Sequence, residues 1–438
     1  MLAILGNRTY RHLFLAQVIA LIGTGLATVA LGLLAYDLAG ANAGIVLGTA
    51  LAIKMIAYVG VAPIASAFAE RLPRRAMLVG LDLVRAAVAL LLPFVSEIWQ
   101  VYVLIFVLQS ASAAFTPTFQ ATIPDILPDE KDYTQALSLS RQAYDLESLL
   151  SPALAALLLT VISFHNLFAG TVIGFLASAA LVVSVALPSP KPGEPRGIYE
   201  RTTRGLRIYL ATPRLRGLLA LSLAVSAAGS MVIVNTVVLV QATYGMTQQA
   251  TALALALFGA GSMTAAFALP RLLDRLDDRR LMLAAGAALP ALLLLGTLVP
   301  GFPILLSLWF ALGFAYSLTQ TPSGRLLRRS AHAEDRPPLF AAQFALSHAC
   351  WLINYPAAGW LGATLGLPAT FAVMAAIAAL ALVLALRFWP AGDADEIEHE
   401  HLALAPDHPH LAGAGRRHRH AFVIDREHPA WPNPGRAG

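Results

Sequence analysis

Residues 66–75 read Ser66-Ala67-Phe68-Ala69-Glu70-Arg71-Leu72-Pro73-Arg74-Arg75, a short charged turn set between two long apolar runs. A second turn echoes it: Asp274-Arg275, followed by Arg279-Arg280, with the acid 204 residues after Glu70. Thr116-Pro117 and Thr321-Pro322 stand 205 apart, and Ser151-Pro152-Ala153 and Tyr355-Pro356-Ala357 stand 204 apart. Three matches in one register identify an internal repeat of about half the chain.

The composition states what kind of repeat this is. Of 438 residues, 58% are hydrophobic and only 13% are charged, about half the ~25% of an ordinary soluble domain. The mean hydropathy is +0.68. A water-soluble fold of this size would lack the polar residues to cover its surface, so the chain reads as a polytopic membrane protein. One cysteine, Cys350, excludes an internal disulfide framework and a thiolate cluster. No nucleophile–base set or phosphate loop is present, so an enzyme is not expected and no cofactor is called for.

A hydrocarbon core about 30 Å thick needs roughly 20 apolar residues per helix. Breaking the apolar runs at charge, Pro and Gly predicts twelve spans, near 12–36, 43–68, 76–95, 99–122, 134–160, 165–187, 215–243, 249–272, 280–299, 303–325, 337–363 and 368–389. The polar start Asn7-Arg8-Thr9, with no small-residue cleavage site after the first span, argues against a signal peptide. The expected organisation is an all-α membrane protein with a six-helix bundle over 1–187, a cytoplasmic linker over 188–214 and a second six-helix bundle over 215–390. A His-rich cytoplasmic tail follows over 391–438. The linker is Pro-rich, then basic, and predicts a short amphipathic helix.

Lys and Arg crowd one set of connections, such as Arg71, Arg74, Arg75 and Arg325, Arg328, Arg329, while the alternate connections hold Asp37 and Glu97 but no Lys or Arg. The positive-inside rule then places both termini in the cytoplasm, and the pI near 9.5 reports topology, not nucleic-acid binding. The expected location is a bacterial inner membrane, with the lipid bilayer as the protein's surroundings and a monomer as its working form.

With its turn and repeat in view, the chain resembles the major facilitator superfamily, whose signature loop usually reads Gly-x-Leu-Ala-Asp-Arg-x-Gly-Arg-Arg. Ser66 and Pro73 replace glycines and Glu70 replaces the aspartate. The resemblance covers residue 1 to about 390 and implies two bundles rocking about a midplane site. It further implies gating loops built on Glu70, Arg71, Arg74 and Arg75 and on Asp274 and Arg275, whose acids latch the cytoplasmic side by pairing with arginines and a helix N-terminus. Ser151-Pro152-Ala153-Leu154-Ala155-Ala156 is similar to the family's antiporter pattern Gly-Pro-x-x-Gly-Gly, which favours export. The arginine that many proton-driven drug exporters carry in the fourth span has no counterpart in 104–114.

Ionisable groups inside spans cost about 2.5–3.5 kcal/mol each on insertion scales, so each needs a reason. Lys54 lies deep in the second span and has no sequence-local partner; a carboxylate on another helix is expected to face it. Asp82 and Arg85, and Arg141 and Asp145, stand one helical turn apart and read either as neutralised pairs or as part of a coupling path. Asp145 and Glu147, two residues apart, point to different sides of the fifth span, and one of them is the expected proton carrier. Pro152 belongs to the antiport pattern. His165, His348 and Cys350 are read as packing residues.

The tail carries Glu398-His399-Glu400-His401, Asp407-His408-Pro409-His410 and Arg417-His418-Arg419-His420. In extended chain, residues two apart lie on one side, so each His-x-His is a two-nitrogen clamp. His399, His401, His408, His410, His418 and His420 are therefore candidate metal ligands, with imidazole and carboxylate suited to Ni²⁺, Co²⁺, Zn²⁺ or Cu²⁺. Phe422-Val423-Ile424 and Pro429-Ala430-Trp431-Pro432 form an apolar island expected to dock on the bundle or a partner. The tail and the general likeness resemble the nickel-resistance branch of the superfamily. The function expected is a proton-coupled exporter of a divalent metal, nickel or cobalt; the alternatives are export of an organic solute (a siderophore or drug) beside a metal-sensing tail, and a metal sensor that no longer transports.

Overall fold

The computed structural model describes residues 2–69, 72–188, 198–298, 301–332, 335–392, 396–400, 411, 417–425 and 427–432. Charge, Pro and Gly punctuate a chain that is otherwise helix. In the first half run α1 (Arg8–Ala39), α2 (Ala43–Ala69), α3 (Arg74–Leu91), α4 (Ile98–Ile126), α5 (Glu130–Leu158) and α6 (Phe164–Val183). The Asn7 side chain caps α1 by accepting the Tyr10 N–H at 3.1 Å, and Gly40, at φ 54°, ends it in a conformation that suits glycine. A short α7 (Ile198–Ala211) falls where the linker predicted an amphipathic helix. The second half holds α8 (Pro213–Val237), α9 (Gln248–Leu273), α10 (Asp278–Gly296), α11 (Phe302–Gln320), α12 (Ser323–Arg329), α13 (Arg336–Thr364) and α14 (Leu367–Phe388).

The repeat holds in three dimensions. In the first half α1 packs on α5 and α6, α2 on α4, and α3 on α4 and α6. In the second, α8 packs on α13 and α14, α9 on α11, and α10 on α11 and α14, which is the same pattern. The halves meet where α2 runs along α13 and α5 along α9. Near the start of α2 this seam is backbone against backbone. A Cβ on Gly359 would overlap the Gly44 carbonyl, and one on Gly48 would overlap the Tyr355 carbonyl. In lipid, where apolar burial does not favour helix pairing, such close approach supplies the dispersion that joins helices. Asn235 of α8 donates to the Ala358 carbonyl at 3.0 Å beside it, and Gln249 of α9 donates to the Leu159 carbonyl, just past α5, at 2.6 Å.

Among the described residues nine helical stretches are long and apolar enough to cross a membrane, the first of them covering α1 and most of α2 together. The 29-residue helices α5 and α13 are not among them. They carry Arg141, Asp145 and Glu147, and His348 and Asn354, and they are the helices that meet the opposite half. Polar side chains facing an interior lower the hydropathy of a helix without removing it from the bundle.

The all-α expectation needs one correction. The tail forms β1 (Glu396–Glu400) and β2 (Arg417–Ala421), an antiparallel pair in which His399 opposes His418. Arg417 and Arg419 pair with Glu398 (3.0 Å) and Glu396 (3.4 Å) on one face of that pair. Beyond it Phe422, Val423 and Ile424 are buried. Phe422 and Ile424 join a cluster with Ile208 and Tyr209 of α7, Leu215 and Leu218 of α8, and Leu326 and Leu327 of α12. Trp431 lies 5.0 Å from Phe422 and its ring faces the Arg214 guanidinium at 5.1 Å, so the apolar island docks on the second half.

Candidate functional site

Lys54 and Glu147 bring two opposite charges together inside the first half. Lys54, on α2, is half-buried, and the charge facing it is Glu147 of α5, likewise half-buried. Two features seat the carboxylate. Glu147 and Ser151 lie one turn apart on α5, and both press on α1 at Gly25, where a Cβ would stand 2.9 Å from Glu147 Oε1 and overlap the Ser151 hydroxyl. Ser151 also donates to the Ile22 carbonyl at 3.4 Å. Pro152, inside α5 at this point, cannot donate to the preceding turn.

The second half closes the site with rings. On α13, Phe344, His348, Trp351 and Tyr355 are spaced four, three and four residues apart, which is one helix face. His348 stacks on Tyr58 of α2 at 5.9 Å with the planes 9° apart, and Phe344 reaches the same ring at 6.1 Å. Lys54 Nζ lies 5.9 Å from the Tyr58 centroid. Trp351 contacts Tyr355 at 4.9 Å and Tyr316 of α11 at 6.4 Å, and Tyr316 meets Phe258 of α9 edge-on at 5.4 Å. The spacing of Phe344, His348, Trp351 and Tyr355 is a helical period legible in the sequence, where only His348 and Cys350 stand out by residue type.

Asp82 and Arg85 of α3 lie elsewhere. They form an ion pair, Asp82 fully buried and Arg85 nearly so, and Ser178 of α6 donates to Asp82 Oδ2 at 2.7 Å. The Arg85 guanidinium is held between the Phe115 ring at 4.2 Å and the Phe175 ring at 4.5 Å. This cluster ties α3, α4 and α6 together inside one bundle, as a neutralised pair does. Arg141 and Asp145 stand on α5, but their side chains lie outside the described residues.

At the basic ends, Arg74 pairs with Asp125 at the end of α4, and Arg75 donates to the Val183 carbonyl at the end of α6. In the second half Asp278 forms an ion pair with Arg325 at 3.3 Å. Arg74 and Asp278 are repeat mates 204 apart, each ion-paired within its own half with the sign of the charge reversed. Asp274 and Arg275 are exposed at the end of α9, and Glu70 and Arg71 lie outside the described residues.

In the tail His418 stacks on His420 at 5.1 Å, and His420 meets His428 at 5.0 Å. Asp425 accepts from His428 Nδ1 at 2.8 Å and faces His332 Nε2 at 3.3 Å. Burial raises the Asp425 carboxyl, but its hydrogen bonds with His428 outweigh this and leave it below its ordinary value; burial lowers His428. Among the described residues no three His, Cys, Asp or Glu groups converge as a metal site. His401, His408 and His410, and the side chain of His399, lie outside them.

The Major Facilitator Superfamily profile matches residues 13–233 and 219–421. An uncharacterised MFS-type transporter, YfiS of Bacillus subtilis (strain 168), is 24% identical over 329 residues, 71% of this chain and 76% of that protein. Macrolide efflux protein A of Streptococcus pyogenes is 27% identical over 152 residues, which is 32% of this chain and 37% of the relative. Among solved structures, a bacterial homologue of the lysosomal transporter Spinster superposes with a TM-score of 0.66 at 13% identity, over 87% of this chain and 95% of that one. The nucleoside transporter NupG gives 0.65 at 12%, over 87% and 98%. The matched profile and the doubled helical unit agree: the chain belongs to the major facilitator superfamily and is a multi-pass membrane transporter.

Proposed function

We propose that the chain is a proton-coupled exporter of bulky organic solutes in a bacterial inner membrane, acting as a monomer that spans the bilayer twelve times with both termini in the cytoplasm. The observation that carries this is the Lys54–Glu147 pair facing a wall of rings from the opposite half. The partial likeness to a macrolide efflux protein supports the direction and the cargo class.

The pair works as a proton-controlled contact. With Glu147 ionised, Lys54 holds it and the inner face is electrically closed. A proton on Glu147 Oε cancels that attraction, frees Lys54 and lets the face rearrange as the halves tilt. Loss of the proton to the cytoplasm restores the pair. Gating belongs to the turn acids Glu70 and Asp274 with their neighbouring arginines, while Arg74–Asp125 and Asp278–Arg325 each brace the basic end of their own half. The test is reconstitution in proteoliposomes with pyranine trapped inside. Adding a macrolide should move protons across the membrane; no proton movement with any organic solute tried would overturn the reading.

A divalent-metal cargo, nickel or cobalt, is the second reading. The hairpin favours it, because β-pairing sets His399 opposite His418 and the stacked rings continue through His420 to His428. His401, His408 and His410 would complete the ligand set. Deleting residues 392–438 should then lower nickel tolerance of the host; unchanged tolerance would remove the metal from the account.

A further inference from the structure

The internal repeat also compares the basic ends of the two halves. In the first half α4 runs on through Pro117, and its end is anchored by Phe119, Ile123 and Leu127, one turn apart and buried in one apolar cluster. The mates of these three, 205 positions on, are Gly324, Arg328 and His332: the first has no side chain and the other two are exposed. In the second half α11 ends at Gln320, Thr321 and Pro322 form a turn, and the seven residues of α12 follow. Pro322 has no N–H to carry the helix across this point, and Gly324 weakens its restart. The second half therefore keeps the proline of the first and lacks the stripe that anchors what comes after it.

The tail supplies what is missing. Leu326 and Leu327, the buried face of α12, share their apolar cluster with Phe422 and Ile424. Just beyond α12, His332 Nε2 faces Asp425 Oδ2 at 3.3 Å. The docking piece is ordered by its own bonds. Asp425 accepts the His428 backbone N–H at 2.7 Å and donates its own to the His428 carbonyl at 3.2 Å, and the Phe422 ring lies 5.0 Å from that of Trp431. Trp431 in turn faces Arg214 at the start of α8. We propose that the tail is an inhibitory strap: Phe422, Ile424, Asp425 and Trp431 hold α12, a piece hinged at Pro322, against α7 and α8, and transport speeds up when the strap lets go. The sense of the effect rests on the tilting of the halves described above. Tilting changes contacts at the basic ends, and α12 carries Arg325, the partner of Asp278, at that end. A piece joined through a proline turn is the part that moves by itself, and its apolar contacts with the tail are lost when it does.

The experiment follows amide hydrogen exchange of the full chain in lipid nanodiscs, and macrolide exchange at equal pH in proteoliposomes, for wild type, Phe422→Asp and the milder Trp431→Ala. In Phe422→Asp the amides of 323–332 should exchange about tenfold faster, while those of 119–127, anchored by their own stripe, should not change. Trp431→Ala should move the same amides in the same direction by less. Adding Gly324→Ala to Phe422→Asp, where the structure has open space for a methyl, should slow them again by about fivefold. Macrolide exchange should rise severalfold in Phe422→Asp. Unchanged amides at 323–332 in a variant whose tail limited proteolysis shows to be released, or an equal rise at 119–127, overturns the strap. Loosened α12 with macrolide exchange unchanged or slowed overturns its inhibitory sense. If wild type moves no macrolide, the export reading falls, and amide exchange still decides whether the tail holds α12.

Discussion

Removing the carboxylate of Asp82 distinguishes a structural ion pair from a coupling one. In Asp82→Leu the Arg85 guanidinium stays between Phe115 and Phe175 with its counter-charge gone, and Ser178 loses its acceptor. Breaking a buried pair this way costs about 3–5 kcal/mol, and the stranded hydroxyl adds about 1 kcal/mol. Replacing both charges, Asp82→Leu with Arg85→Leu, removes the uncompensated charge, and such swaps range from neutral to stabilising by ~1–4 kcal/mol. Against this stands the loss of two cation–π contacts at about 0.5–2 kcal/mol each, so the double variant should lie near wild type. Thermal unfolding of the purified protein in detergent reads the stabilities, and vesicle transport reads function. The single variant should unfold several degrees early and the double variant should recover both stability and transport. A stable double variant that no longer transports would refute the structural assignment.

Three further outcomes follow from the same geometry. Burial lowers His428, so between its ordinary value of about 6.5 and that lowered value an undocked tail binds a proton that the docked tail refuses. Docking should therefore weaken as pH falls below about 6.5, and limited proteolysis of the tail should be faster at pH 5.5 than at 7.5; Asp425, held low, loses its contribution only in stronger acid, below about 4. Gly359→Leu should force α2 and α13 apart at their close seam, raising the reactivity of a cysteine placed at Gly44 toward an impermeant thiol reagent; unchanged reactivity would contradict the close approach. Exchanging the charges, Arg74→Asp with Asp125→Arg, copies the polarity already used by Asp278 and Arg325 and should retain transport, whereas either single change should lose much of it; the half-exposed Asp125 limits the stability change to about 1 kcal/mol.

Much of the fold was legible because lipid leaves few alternatives. A backbone without water must become helix, and charge, Pro and Gly mark where helices end, so the expected spans and the observed helices coincide closely. The repeat was legible through Pro152 and Pro356, where a missing N–H constrains both halves alike. The site was harder. Lys54 announced itself by its desolvation cost, but nothing local said that Glu147 faces it; that depends on the rotation of α5 against α1. Gly25 looks like an ordinary small residue of an apolar helix, and its meaning appears only when Ser151 and Glu147 of α5 are in place against it. The ring face of α13 shows the opposite case, a clear helical period whose role is set by Tyr58 of α2 and Tyr316 of α11 packing against it. The tail showed its apolar island in sequence, but not the surface formed by α7, α8 and α12 that receives it.

The central claim is that the Lys54–Glu147 pair couples protons to export. The direct measurement compares two modes in proteoliposomes containing wild type or Glu147→Gln: macrolide accumulation driven by a pH gradient, and macrolide exchange at equal pH on both sides. The account predicts that Glu147→Gln loses gradient-driven accumulation and keeps exchange, because the halves still tilt around an uncharged side chain. Gradient-driven accumulation at the wild-type rate in Glu147→Gln would contradict it.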